Sequence, residues 1–126
     1  MTASVLSVVG ARPQFIQAAA LTPATRDSPL LTEVMVHTGQ HFDDAMSAVF
    51  FDELGIPAPA HNLEIHGGSH GEMTGRMLPA LEQIMVARQP SVVLIYGDTN
   101  TTLAAALAAA KLNLPVAHVE AGLRSF

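Results

Sequence analysis

Three charged residues that could bind an anion and transfer a proton follow apolar, strand-like segments of this sequence. Arg12, Asp98 and Glu120 each come within three residues of the end of such a segment. A guanidinium can pair with a phosphate through two parallel hydrogen bonds. Two neighbouring carboxylates push their pKa values apart, which suits proton transfer. If the fold brings them together, these residues predict a site for an anionic ligand and acid–base chemistry.

Each of these residues also has a purely structural interpretation. Arg12 could be a surface residue of a plain turn, and Asp98 stands where a helix N-cap is expected. Glu120 could simply pair with Arg124. Five consecutive polar residues from 98 to 102 are more than one cap requires. In a regular strand, His118 would face away from Glu120, which favours a packed or hydrogen-bonded core histidine.

The turn from Gly10 to Pro13 joins a strand to the first turn of a helix. Exposed N–H groups and the helix dipole favour an anion there, and Gly10 would allow it to approach closely. Pro13 suits the first helical turn, where its missing N–H costs nothing. The turn matches neither G-x-G-x-x-G nor G-x-x-x-x-G-K-[ST], so the usual dinucleotide and P-loop assignments do not apply.

Composition excludes several other kinds of function. The chain has 126 residues, a formal net charge of −5 and no cysteine. An acidic chain has no general attraction for nucleic acid or anionic membranes, and disulfides and thiolate metal sites are ruled out. His66 and His70 flank a glycine-rich segment rather than one helical face, so no metal is expected. The first residues lack the pattern of a signal peptide, which predicts a cytoplasmic protein.

The elements that must position these residues alternate between strand and helix. Pro23 is expected to bend or shorten the first helix, and Ser69 with Glu72 fits a capping box. Single helices between strands imply right-handed crossovers and a parallel, doubly wound α/β sheet of order 3-2-1-4-5. The predicted strands are 5–9, 34–37, 62–65, 91–96 and 116–119, and the predicted helices are 14–26, 42–54, one beginning after 69, and 100–112.

In such a sheet, ligands bind beyond the carboxyl ends of the strands, where the strand order reverses. Here that point lies between the first and fourth strands. Gly10 and Arg12 follow the first strand and Asp98 follows the fourth, whereas Glu120 and Arg124 follow the fifth. The predicted topology therefore brings the candidate residues to one edge of the sheet.

Five segments of the chain carry a resemblance to a known family. They are Gly10-Ala11-Arg12-Pro13-Gln14-Phe15-Ile16, His37-Thr38-Gly39-Gln40-His41, Thr74-Gly75-Arg76-Met77-Leu78, Gly97-Asp98-Thr99-Asn100-Thr101-Thr102 and His118-Val119-Glu120-Ala121-Gly122-Leu123-Arg124. In this order and spacing, the chain resembles the N-terminal domain of the bacterial non-hydrolysing UDP-N-acetylglucosamine 2-epimerases. The last two segments are the most specific.

The resemblance implies one half of a two-domain fold of the glycosyltransferase-B type. Residues 1–126 would form the N-terminal Rossmann-like domain, and a C-terminal nucleotide-binding domain would be absent from this chain. The implied enzyme is an isomerase of cell-surface polysaccharide biosynthesis that uses no cofactor and forms a homo-oligomer, such as a dimer. It converts UDP-GlcNAc to UDP-ManNAc by eliminating UDP across C1–C2 and adding it back.

The resemblance also implies roles for particular residues. Asp98 and Glu120 would be catalytic, without a decision on which is the acid and which the base. Some members of the family bind a second UDP-sugar as an activator. Those members carry glutamine at the position of Asp43, so the activator site is the part of the resemblance that this chain matches less well. The implied substrate-binding residues are Gly10, Arg12, Gln17, Thr99 and Arg124, and the implied activator-binding residues are Gln40, His41, Asp43 and Arg76.

Two departures from the family pattern leave the substrate open. Gln17 stands where lysine is usual, which removes a positive charge from the pocket, and Gln14 replaces a frequent glutamate. The Arg-Pro-Gln-Phe-Ile form resembles a subgroup that includes UDP-2,3-diacetamido-2,3-dideoxyglucuronate 2-epimerases. A non-catalytic UDP-sugar-binding module and a generic nucleotide-binding α/β domain are the alternatives. Without an opposing domain to exclude water, the chain by itself is expected to be inactive.

Overall fold

The computed structural model describes residues 3–10, 12–39 and 59–119, apart from the side chains of residues 12, 13, 15, 25 and 26. The predicted helix 42–54 lies outside these ranges. So do five of the candidate site residues, which are Gln40, His41, Asp43, Glu120 and Arg124.

The elements of the described chain are β1 (Ala3–Val9), α1 (Arg12–Asp27), β2 (Leu31–His37), β3 (His61–Asn62), α2 (His70–Arg88), β4 (Val92–Tyr96), α3 (Asn100–Lys111) and β5 (Val116–Val119). Single helices separate β1 from β2, β3 from β4 and β4 from β5, as the sequence predicts, whereas the predicted helix between β2 and β3 lies outside the described residues.

The five strands form one parallel sheet with β1 at its centre. Their order is β3-β2-β1-β4-β5, and every neighbouring pair is parallel. Val8 is in register with Val36 of β2 on one side and with Ile95 of β4 on the other. The predicted α/β fold class and strand order are therefore confirmed, and the strand order reverses between β1 and β4.

Both faces of the sheet are covered by helices, so the central strands are buried. Leu6, Val8 and Ile95 belong to the larger core, together with apolar residues of α2 and α3. A smaller cluster of buried residues lies on the opposite face, where Val9, Met35 and Tyr96 pack against Ala18 of α1. Four alanines of α3 are fully buried, which is consistent with their predicted packing between sheet and helix: Ala104, Ala105, Ala108 and Ala109.

Three local predictions differ from the structure. Helix α1 runs through Pro23 to Asp27, so of the two predicted effects of Pro23 the shortening is wrong and the bend stays a prediction; the proline removes one backbone donor without ending the helix. Strand β3 ends at Asn62 because Glu64, with a φ of 54°, leaves the extended conformation. His118 is exposed rather than in the core, although its Nε2 donates to the carbonyl oxygen of Gly97 at 2.6 Å.

The predicted cap of α2 is present in a modified form. The Ser69 hydroxyl accepts from the Glu72 backbone N–H at 3.2 Å and donates to a carboxylate oxygen of Glu72 at 3.1 Å. In the standard capping box, the glutamate would accept from the backbone N–H of the cap residue instead. No helix within the described ranges is both long enough and apolar enough to cross a bilayer.

Candidate functional site

The carboxyl ends of β1 and β2 meet the first turn of α3 at Gly10. A Cβ atom added to Gly10 would overlap Thr101 Oγ1 and Thr38 Oγ1, so any larger residue would require these atoms to shift. Those two hydroxyl oxygens are themselves 2.8 Å apart in a buried hydrogen bond. Gly10 therefore allows close packing of protein against protein, where the sequence alone indicated close approach of a ligand.

Gln14, in the first turn of α1, connects the end of β1 to the end of β4. Its Oε1 accepts from the backbone N–H of Gly10 at 2.7 Å. Its Nε2 donates to the carbonyl oxygen of Tyr96 at 2.8 Å and to Thr99 Oγ1 at 2.8 Å. The side chain is almost fully buried, at 2% exposure. Sequence reasoning noted Gln14 only as a departure from glutamate and missed this role.

Asp98 lies in the turn between β4 and α3, and its side chain is exposed. The N-cap of α3 is Thr99, which accepts from the Thr102 backbone N–H while the Thr102 side chain accepts from the Thr99 N–H. Gly97, with a φ of 67°, makes the sharp turn before Asp98. Because Thr99 is the cap, the structural interpretation of Asp98 as an N-cap does not apply.

The Asp98 turn is also tied to the end of β5. The backbone N–H of Gly97 donates to the carbonyl oxygen of Val119 at 3.0 Å, and His118 donates to the carbonyl oxygen of Gly97. Val119, at the end of β5, therefore lies beside the Asp98 turn. Glu120 and Arg124 lie outside the described residues, so their distances to Asp98 stay predictions.

Arg12 and Gln17 lie on α1, which begins directly beyond β1. The backbone of Arg12 opens the helix, at the same edge of the sheet as Gly10 and Asp98. Gln17 is half-buried, and its Oε1 is buried without a hydrogen-bond partner among the described residues. The fold therefore places the Arg12 backbone and Asp98 at one edge, as predicted.

Arg76 contacts the glycine-rich loop that precedes α2. One guanidinium nitrogen donates to the carbonyl oxygens of Gly67 at 2.6 Å and His66 at 3.3 Å, and Nε donates to the carbonyl oxygen of Glu72 at 3.4 Å. Arg76 is exposed. The other predicted activator-binding residues are outside the described ranges.

His70 is a second residue at this edge that sequence reasoning did not assign to the site. Its Nδ1 lies 2.9 Å from Asn100 Nδ2, so the first residues of α2 and α3 are in contact. The sequence signal is the polar run 98–102, in which Asp98 and Thr99 but not Asn100 are assigned to the site. Within the described ranges, no three His, Cys, Asp or Glu side chains are grouped to hold a metal ion.

Two buried titratable groups lie on the α1 face of the sheet. Burial lowers the pKa of His37 from 6.5 to about 4. Burial, and then the Glu33 carboxylate, raise the pKa of the Tyr96 hydroxyl well above its usual value. The Glu33 carboxylate accepts from the Ser7 hydroxyl. Both groups are therefore uncharged near neutral pH.

The parallel sheet and the arrangement of turns at its reversal point define a Rossmann-like α/β domain. The family model described as UDP-N-acetylglucosamine 2-epimerase matches residues 23–126. The chain therefore belongs to the UDP-N-acetylglucosamine 2-epimerase family.

Individual relatives support the same assignment. The chain is 57% identical to the UDP-2,3-diacetamido-2,3-dideoxy-D-glucuronate 2-epimerase of Pseudomonas aeruginosa, over 97% of this chain and 34% of that protein. It is 45% identical to the UDP-N-acetylglucosamine 2-epimerase of Methanocaldococcus jannaschii, over 94% of this chain and 32% of that protein. The chain thus spans about a third of the length of these relatives.

Two solved structures of relatives have the same fold. The M. jannaschii UDP-GlcNAc 2-epimerase in complex with UDP-GlcNAc and UDP superposes with a TM-score of 0.92 at 44% identity, covering 98% of this chain and 34% of that one. The S. aureus MnaA–UDP structure superposes with a TM-score of 0.90 at 34% identity, covering 98% of this chain and 32% of that one.

Proposed function

We propose that this chain supplies one domain of an enzyme that inverts C2 of a UDP-N-acetylhexosamine, converting UDP-GlcNAc to UDP-ManNAc. The observation that carries the proposal is the exposed carboxylate of Asp98 at the reversal point of the sheet. Thr99 caps α3, so the cap does not account for Asp98. Relatives at 57% and 45% identity are named as 2-epimerases.

The proposed reaction has two stages and uses no redox cofactor. In the first, a base removes the C2 proton, a C1–C2 double bond forms, and the C1–O bond to UDP breaks. In the second, UDP adds back to C1 and a proton is delivered to the opposite face of C2. Asp98 and Glu120 are the proposed catalytic groups, and their carboxylates would transfer protons to and from the sugar and the leaving group.

The diphosphate is proposed to bind at the start of α1. The positive end of the helix dipole and the Arg12 guanidinium would stabilise its negative charge. Gly10 would contribute by shaping the turn, because its N–H is already bonded to Gln14. The remaining proposed contacts to substrate are made by Gln17, Thr99 and Arg124.

A second substrate is favoured by one comparison. The relative at 57% identity is named as a UDP-2,3-diacetamido-2,3-dideoxy-D-glucuronate 2-epimerase. The chemistry at C2 is the same, and the substrates differ at C3 and at the C6 carboxylate. This sugar is therefore the alternative substrate. A UDP-sugar-binding module without turnover is the non-catalytic alternative.

The proposal extends to an activator site and to the whole protein. Gln40, His41, Asp43 and Arg76 would bind a second UDP-sugar, and Arg76 already lies beside the loop at 66–67. A partner domain of the glycosyltransferase-B type, a homo-oligomer and a cytoplasmic location belong to the same proposal.

The test is to join this chain to the remaining two thirds of the M. jannaschii relative and assay C2 epimerisation in deuterated water. The chimera is expected to convert UDP-GlcNAc and to incorporate deuterium at C2, whereas the chain alone should give no turnover. Asp98→Asn should lower kcat by about 100-fold or more. Glu82→Gln, the same kind of change at an exposed position of α2, should leave kcat unchanged.

The outcomes separate the alternatives. A folded chimera that binds UDP-GlcNAc without turnover would support the binding module. A second chimera, made with the P. aeruginosa relative and assayed with the diacetamido-glucuronate substrate, tests which of the two sugars is turned over. Full activity in the Asp98→Asn chimera would remove Asp98 from the mechanism.

A further inference from the structure

Gln14 is a buried polar side chain whose position the proposed chemistry does not use. It lies on α1, yet its amide is bonded to the backbone at the ends of two different strands. It also lies within reach of both hydroxyls of the α3 cap, at 2.8 Å from Thr99 Oγ1 and 3.1 Å from Thr102 Oγ1. Its contacts on β4 and α3 are 82 to 88 residues away in sequence.

In this chain, the amide of Gln14 satisfies two contacts of opposite kind. The Gly10 N–H must meet an acceptor, whereas the carbonyl oxygen of Tyr96 must meet a donor. A primary amide supplies an acceptor oxygen and two N–H donors from one carbon. An ionised carboxylate supplies only acceptors, so it would face the Tyr96 carbonyl with like partial charge.

The anchored atoms lie on both sides of Asp98. Tyr96 precedes it by two residues and Thr99 follows it directly, and both are bonded to the same Gln14 nitrogen. The opposite end of the amide is bonded to Gly10, next to the proposed diphosphate site. The Gln14 side chain therefore holds the Asp98 turn and the turn between β1 and α1 at a fixed distance from each other.

We infer that Gln14 is a positioning residue that sets the Asp98 carboxylate relative to the diphosphate-binding turn. This inference rests on the proposed epimerase function, and it assigns Gln14 no contact with substrate. Small displacements of reacting groups cost rate more than affinity, with losses of about 100-fold for a shift of about 1 Å. The effect should therefore fall mainly on kcat.

The kinetic test compares Gln14→Leu and Gln14→Glu in the chimera described above. Both should lower kcat by about 10- to 100-fold while KM changes by less than about threefold. The carboxyl introduced by Gln14→Glu would face a carbonyl, which should raise its pKa, and its protonated form can donate to Tyr96 again. Gln14→Glu should therefore recover kcat as pH falls, and Gln14→Leu should not. Gln83→Glu, the same change at an exposed position of α2, is the matched control.

A second test uses the chain itself and needs no activity. In the unsubstituted chain, the Gly10 amide should exchange its hydrogen slowly, and Gln14→Leu should accelerate that exchange by about tenfold or more. Amides of residues 97–99 should accelerate as well. If Gln14→Leu does not fold, protection of the Gly10 amide in the unsubstituted chain still tests whether the hydrogen bond from Gly10 to Gln14 is formed.

The two arms distinguish failure of the inference from failure of the proposed function. Rapid exchange of the Gly10 amide in the unsubstituted chain would overturn the inference. So would kcat values that are the same, at every pH tested, in the parent chimera and in both of its Gln14 variants. An inactive parent chimera with a protected Gly10 amide would instead overturn the proposed epimerase function and leave the structural role of Gln14 in place.

Discussion

The hydroxyl oxygens of Thr38 and Thr101 lie 2.8 Å apart, although 63 residues separate them in sequence. Thr38 directly follows β2, and Thr101 is in the first turn of α3. Both residues are fully buried, and Gly10 packs against both oxygens. This contact joins β2 to α3 across the end of β1, so it contributes to the geometry of the whole edge.

The Thr38–Thr101 hydrogen bond should be measurable as a coupling energy. Each single change to valine leaves the other hydroxyl without this partner and should lower the free energy of unfolding by about 1–3 kcal/mol. The double variant should lose less than the sum of the single losses, by at least about 0.5 kcal/mol. Urea unfolding of the four proteins gives the values. Additive losses would show that the hydroxyls do not stabilise each other.

Gly10→Ala should destabilise the domain because the new methyl group would overlap two buried oxygens. We expect the free energy of unfolding to fall by about 1–3 kcal/mol. Gly75→Ala is the control, since Gly75 is inside α2 and an added Cβ meets no atom within 4 Å. That change should raise stability by about 0.5–1 kcal/mol. A urea midpoint for Gly10→Ala equal to or above that of the unsubstituted chain would contradict the packing described at Gly10.

Asp98 and Thr99 should differ in their effects on stability. Thr99→Ala removes the N-cap of α3 and should lower the free energy of unfolding by about 1 kcal/mol. Asp98→Ala changes an exposed side chain outside the cap and should alter it by less than about 0.5 kcal/mol. Thermal or urea unfolding checks both. A loss at Asp98 as large as that at Thr99 would support a structural role for the carboxylate.

The neutral, buried His37 should make stability fall in mild acid. Burial lowers the folded-state pKa to about 4, whereas an unfolded histidine titrates near pH 6.5. Between these values only the unfolded chain binds the proton, so stability falls as pH decreases through this window. From pH 7 to pH 5 the loss due to His37 should be roughly 2 kcal/mol.

The His37 contribution can be isolated by substitution. His37→Gln should remove this part of the pH dependence, whatever its effect on stability at neutral pH. Urea unfolding of the unsubstituted chain and of this variant at several pH values provides the comparison. Parallel stability curves for the two proteins would show that His37 does not titrate as described.

Tyr96 and Ser7 should respond oppositely to loss of their hydroxyl groups. The Tyr96 hydroxyl is buried without a hydrogen-bond partner among the described residues, so Tyr96→Phe should leave stability unchanged or raise it by up to about 1 kcal/mol. The Ser7 hydroxyl donates to the Glu33 carboxylate, so Ser7→Ala should lower stability by about 1–3 kcal/mol. Equal losses in urea unfolding would indicate a partner for the Tyr96 hydroxyl.

The alternation of apolar strands and amphipathic helices was enough to predict the sheet. A parallel connection through one helix is right-handed, so the order β3-β2-β1-β4-β5 followed from the succession of elements. The same rule placed Gly10 and the Asp98 turn at one edge of the sheet. Exact boundaries were less accessible, because the left-handed Glu64 and the continuation of α1 past Pro23 carry no strong local signal.

The sequence by itself determined the fold class, the family and the edge of the sheet at which Gly10, the start of α1 and the Asp98 turn lie, because these depend on periodic patterns and on motifs that are local in the chain. Tertiary structure alone decided that Thr99 rather than Asp98 caps α3, that Gly10 is required by packing, and that Gln14 connects two strand ends. Partners as distant in sequence as Gln14 and Tyr96 become neighbours only when the sheet forms, since a buried amide is bonded to whichever groups the packed backbone brings within about 3 Å of it.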